Sequence, residues 1–190
     1  MDSKLQNDLW LDLLNSDWHD FRGGGRDEDR LDREDWLARF LGPWRGWLRG
    51  ISLLEARERL KGLRALLRRM ADGFASGRPL AKADMERFNR VLAAAPRVTR
   101  VTASGLSYSL RQLPRDPGVA ALLAEIAASF AEVLARGEPG RVKLCRNPDC
   151  RWVFYDHSKN RSRRWCENAG GCGNLIKVRR FRARAGAGKR

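Results

Sequence analysis

All the cysteine in this chain lies in one short stretch near the C-terminal end. The residues are Cys145, Cys150, Cys166 and Cys172, spaced C-x4-C-x15-C-x5-C. Two close pairs joined by a hairpin-length spacer bring four thiolates to one point, the requirement of a tetrahedral zinc ion. In a reducing compartment, clustered thiols favour metal over disulfide. Four cysteines leave no open position for a substrate, so the site is structural rather than catalytic. His157 is an alternative ligand, although four cysteines already complete the tetrahedron.

Charge is distributed unevenly around this cluster. Residues 141–190 carry a net +12 of the chain's +15, leaving +3 for the preceding 140 residues. A near-neutral segment followed by a basic one is the footprint of a nucleic-acid-binding end. The N-terminus MDSKLQNDLW lacks an apolar h-region. The most apolar stretch, Val119 to Ala135, is interrupted by Glu125 and Glu132 and fits a core helix better than a membrane span. The expectation is a cytoplasmic protein with no membrane partner.

Hydrophobic periodicity predicts a mainly α chain with one hairpin, divided at the glycines near 137–140 into a helical domain over 1–140 and a metal module over 141–190. A short amphipathic helix is expected over 5–15, with Leu5, Leu9 and Leu13 buried, then a loop over 20–33 and a helix over 34–41. Leu53, Ala56, Leu60, Leu63, Leu67, Met70 and Phe74 form one stripe of a helix that Ser52 and Glu55 start as a capping box and Gly77 and Pro79 end. Another helix covers 83–94. Alternation around Ser104-Gly105 predicts a β-hairpin over 97–113. Asp116-Pro117 then opens a helix that runs to Arg136 and stops at Gly137. Trp36, Trp44 and Trp47 are assigned to the core.

Within the metal module, Asn147-Pro148-Asp149 supplies the turn between the first two ligands. A short strand follows near Trp152 to Asp156, then a basic turn over 157–164 and a basic helix over 175–185. On that helix Leu175, Val178, Phe181 and Ala185 share one side and are expected to pack on the zinc core. Lys177, Arg180 and Arg184 share the other, with Arg179 flanking, and face phosphates. Arg163 and Arg164 extend this DNA-binding set, since arginine forks bond phosphate oxygens and guanine edges. Trp152, Phe154 and Trp165 are assigned to the small core rather than to base stacking. Chelation is expected to unfold residues 141–185 and spare the helical domain.

The segment CRNPDCRWVFYDHSKNRSRRWCENAGGCGNLIKVRRFRAR resembles the CGNR zinc-finger family. The likeness rests on the first Cys pair, Trp152, Phe154, Asp156 and Ser158, the turn from Asn160 to Arg164, Trp165-Cys166, and Cys172-Gly173-Asn174 opening a basic helix. Two features depart from the family pattern. Leu175 stands where the signature has Arg, removing whatever that Arg contacts, and the Cys166 to Cys172 spacing is one residue longer through Gly170-Gly171. Upstream, Leu11-Asp12-Leu13-Leu14-Asn15-Ser16 resembles the early L-D-x-x-N-[ST] signature of the ABATE domain of stress-induced transcription regulators. The resemblance implies a treble-clef-like four-cysteine module with one structural zinc, attached to an α+β regulatory domain, in a bacterial DNA-binding regulator.

Asp12, Asn15, Asp17 and His19 cluster near one helix end and either line a ligand pocket for a small-molecule effector or serve as caps and surface hydrogen bonds. The leading function is a regulator whose basic helix docks on duplex DNA while the N-terminal domain senses a ligand or forms a homodimer. An RNA or single-strand binder and a protein-interaction module are the alternatives. An enzyme is not expected: the chain has no H-E-x-x-H or phosphate loop, and its only histidines are His19 and His157.

Overall fold

The computed structural model describes residues 8–135, 138–166 and 171–187, with side chains to 185. Leu5, the helix end at Arg136 and Gly137, Gly170 and residues 186–190 of the terminal AGAGKR lie outside the described residues or side chains. Six helices are present among the described residues: α1 (Leu9–Leu14), α2 (Glu34–Leu41), α3 (Leu53–Ala75), α4 (Lys82–Ala93), α5 (Val119–Ala135) and α6 (Cys172–Ala187). Three antiparallel two-stranded ribbons accompany them: β1 (Asp17–His19) with β2 (Asp27–Asp29), β3 (Arg97–Ser104) with β4 (Ser107–Pro114), and β5 (Val142–Leu144) with β6 (Val153–Tyr155).

The expected stripe of α3 is buried from Ala56 to Met70, Phe74 is partly buried, and Leu53 at its start is 50% exposed. Ala56, Leu60, Leu63, Leu67 and Met70 face the core, and the Ser52 hydroxyl accepts the Glu55 amide hydrogen at 3.1 Å. Apolar α5 runs through the middle. Its Phe130 touches Trp10 of α1, Phe74 of α3 and Phe88 of α4 at ring-centroid distances of 5.0, 6.1 and 5.9 Å. One side chain thus holds four helices, and burying a ring of that size removes enough apolar surface to contribute about 3 kcal/mol. Trp44 is buried in the same core, and Trp36 and Trp47 pack on it.

The structure corrects three local expectations. The loop over 20–33 contains β2, paired with β1 in register Asp17 to Asp29, and a 3-10 turn at Arg30–Asp32 capped by the Asp29 carboxylate. Both strands are polar, so no alternation marks them. Helix α5 starts at Val119, two residues after Pro117. On α6, Val178 and Phe181 do not pack on the metal core: Val178 is 37% exposed and Phe181 73%. The wheel correctly places them on one side, but no element covers that side among the described residues.

Candidate metal centre and basic face

The four cysteines converge as their spacing requires. Their Sγ atoms all lie within 4.8 Å of one another, with Cys150 to Cys166 at 3.6 Å and Cys166 to Cys172 at 3.7 Å. These separations are far beyond a disulfide bond and match the edge of a tetrahedron with metal–sulfur distances of about 2.3 Å. All four are buried, and none is in a disulfide. Hydrogen bonds from Cys150 and then Cys166 hold the Cys145 thiol far below its ordinary value, while the contacts with Cys145 and Cys166 push the Cys150 thiol up, so the two titrate as a pair. The donor set fits one structural Zn²⁺.

Local sequence builds this geometry. The Cys145 amide bonds the Trp152 carbonyl at 2.8 Å, closing the β5–β6 ribbon, and the Cys150 amide bonds the Asn147 carbonyl at 3.0 Å across the turn. The Asn147 side chain holds that turn from inside and donates to Cys172 Sγ at 3.5 Å. Cys172 is the first residue of α6, so the fourth ligand fixes the foot of the basic helix. The next residue is glycine for a steric reason: a Cβ on Gly173 would stand 2.9 Å from Trp165 Cδ1. Trp152, Trp165 and Phe154 pack on the thiol cluster, as expected of core residues.

Asp156 organises the basic turn. Its buried carboxylate accepts from Lys143 Nζ at 2.6 Å, the Ser158 hydroxyl at 2.6 Å and the amides of Ser158 and Arg163 at 2.9 and 3.0 Å. Burial pushes its pKa up, but the Lys143 and Ser158 hydrogen bonds outweigh burial and hold the group well below the usual carboxylate range.

The metal segment is interlocked with the start of the chain. Val142 and Val153 belong to the main apolar core, and α3 packs against β5. The Asn15 side chain pairs with the Val153 backbone at two points, Nδ2 to the carbonyl and the amide to Oδ1, both 2.9 Å. A single side chain thereby stands in for a neighbouring strand. Asn147 Nδ2 donates to the Phe21 carbonyl at 2.7 Å, and Phe21 packs on the thiol cluster. Sequence reasoning missed this seam; the L-D-x-x-N-[ST] signature was its only trace.

The DNA-contact candidates fall into two groups. Lys177, Arg180, Arg184 and Arg164 are exposed, and none has a side-chain partner among the described residues. Arg179 and Arg163 are half-buried and structurally engaged. Arg179 bridges Asp149 at 2.7 Å and the Arg22 carbonyl at 2.5 Å, pinning α6 to the β1–β2 loop. Gly23 lies beneath it with φ +82°, and a Cβ there would meet both Arg179 and Asp149 at 3.0 Å. Arg163 bonds the Trp165 carbonyl at 2.9 Å and lies over the Phe154 ring at 4.7 Å. Arg146 joins the basic set without having been singled out by motif: with Lys143, Arg161 and Arg164 it lines a depression of about 310 Å³.

The residues assigned to an effector pocket do not converge. Asp12 is exposed on α1, and Asn15 is occupied by Val153. His19 lies between Asp17, 3.3 Å from Nε2, and Asp27, 2.8 Å from Nδ1. Ser16 bonds the Leu13 carbonyl and accepts from Arg64, whose guanidinium also grips Asp29 at 2.7 and 2.5 Å.

The CGNR zinc finger family matches residues 141–185, the segment that carries the thiol cluster. The ABATE family, described as "Putative stress-induced transcription regulator", matches residues 7–137. No curated protein matches the chain. With the family match covering most of its length and the four-cysteine centre lying inside the second match, the chain belongs to the ABATE family and ends in a CGNR zinc finger.

Proposed function

We propose that this protein is a zinc-dependent transcription regulator that binds duplex DNA through α6. The observation that carries this reading is the exposed, unpartnered stripe of Lys177, Arg180 and Arg184 on a helix whose foot is a zinc ligand and whose side is clamped by Arg179. Zinc, when bound, supplies a cross-link whose four positions are all filled by cysteine. The protein's own residues then do the recognition. Arg180 and Arg184 meet phosphates and base edges, Arg164 and Arg146 add phosphate contacts beside the helix, and Arg163 and Arg179 hold the frame. The N-terminal segment acts as the sensing or dimerising part.

A single-strand reading has one observation in its favour: Phe181, exposed beside Arg180 and Arg184, is placed to stack on a base. Selection from random duplex and single-stranded libraries with the zinc-loaded full-length protein separates the two. Enrichment of a duplex motif supports the proposal; enrichment of single strands alone overturns it. Arg180→Ala with Arg184→Ala should flatten the salt dependence of duplex binding by about two phosphate contacts while zinc content is unchanged.

A further inference from the structure

Helices α3, α4 and α5 leave a groove of about 590 Å³ between them, and none of its lining residues belongs to the thiol cluster. Its floor is apolar: Leu63 and Leu66 from α3, Val91 from α4 and Leu123 from α5. Its rim is cationic, with Arg59 and Arg69 on one side and Arg87 and Arg90 on the other. Arg69 is neutralised by Asp84, with hydrogen bonds of 2.8 and 3.1 Å. Arg59 and Arg90 have no side-chain partner among the described residues, and Arg87 forms no ion pair there, acting on Asp84 only at longer range. Positive charge over an apolar floor is complementary to a molecule with one anionic end and an apolar body.

Gly62 strengthens the argument. It sits in the middle of α3, where glycine costs about 1 kcal/mol relative to alanine. No packing requires it, because a Cβ at Gly62 would meet no atom within 4 Å. The missing side chain opens the groove wall instead.

We propose that this groove binds a small amphipathic anion, a carboxylate or phosphate monoester on a medium-length apolar body. The Arg87 and Arg90 guanidiniums hold the head, and the apolar body lies over Leu63, Leu66 and Leu123 past Gly62. Such a ligand would serve as the effector of the sensing role proposed above, although its binding does not depend on DNA binding. The groove lies on one side of α3, while Arg64 of the same helix grips Ser16 and Asp29 beside the metal segment. The ligand therefore acts on the element that carries the finger.

Calorimetry of zinc-loaded full-length protein with decanoate, decyl phosphate and decanol tests the site without DNA, so its outcome is independent of the DNA-binding proposal. The expected result is saturable binding of at least one of the two anions at one site, with decanol about tenfold weaker or absent. Arg87→Glu with Arg90→Glu, both exposed, should lower anion affinity by at least about tenfold at an unchanged melting temperature. Gly62→Leu should block the apolar body and give a second, uncharged loss. No saturable anion binding, equal binding of decanol, unchanged affinity in the charge-reversed protein, or capture only of an acidic amphipathic peptide would overturn the assignment.

Discussion

Two β-hairpins in this molecule reach order by opposite routes. The β3–β4 ribbon has eight residues in each strand, with full register from Arg97 opposite Pro114 to Ser104 opposite Ser107. Yet Val101, Leu110 and Tyr108 in it are each more than two-thirds exposed. The β5–β6 ribbon pairs only three residues per strand, but Val142 and Val153 are wholly buried. The long ribbon is held by its own backbone ladder and by Arg97 bound to Glu125 of α5. The short one is held by a metal, a buried carboxylate and an asparagine from the other end of the chain. Strand length is therefore a poor guide to how firmly a ribbon is fixed; tertiary partners decide it.

The difference can be broken most forcefully at the metal. Chelation, or Cys166→Ser, removes a contribution on the order of 10 kcal/mol. Because Val142 and Val153 close the main core, amide protection should fall in α1 and β1 as well as in residues 141–166, leaving β3–β4 unchanged. Loss confined to the finger would show two separate cores. Asp156→Ala comes next: it leaves Lys143 with only the Arg161 and Arg163 carbonyls and takes the acceptor from the Ser158 and Arg163 amides, and a drop of about 3 kcal/mol in urea-derived stability is expected. Asn15→Ala leaves the buried Val153 amide and carbonyl unpaired and should cost about 2 kcal/mol, against a negligible change for Asp12→Ala on the helix that Asn15 caps.

Acid sharpens the comparison further. Asp156 is held below its ordinary value in the folded state, so its contribution is complete above the unfolded carboxylate pKa of about 4 and fades as pH falls below that. The urea midpoint of Asp156→Asn should lose that part of the acid dependence. The smallest effect belongs to the long ribbon. Leu110→Ser or Tyr108→Ser should shift stability by no more than about 0.5 kcal/mol, since neither side chain is buried. A much larger loss, or a change in mass by ultracentrifugation, would reveal a partner on that face.

The metal centre was fully legible because ligand spacing is a local property of the chain. The α3 stripe and the β3–β4 alternation were legible for the same reason. The β1–β2 ribbon was not, because Asp17-Trp18-His19 and Asp27-Glu28-Asp29 have no apolar alternation to announce a strand. The side of α6 that carries Val178 and Phe181 was read correctly as a side and incorrectly as buried; periodicity groups residues but does not say what covers them. The seam left no trace beyond the L-D-x-x-N-[ST] signature. Asn15 resembles an ordinary helix-end residue, and its partner is a backbone that any sequence would supply at position 153.

That seam has a consequence for how the chain is made. Asn15 and Val153 are separated by 138 positions. At ordinary synthesis rates the partner of the Asn15 amide emerges roughly ten seconds after Asn15 itself. Until then α1 lacks the segment that completes its burial. The burial of α1 is therefore expected to complete only after the finger segment has emerged, and metal binding to close that segment. Zinc supply during translation is therefore expected to reach α1 and β1, which supply no ligand to the ion.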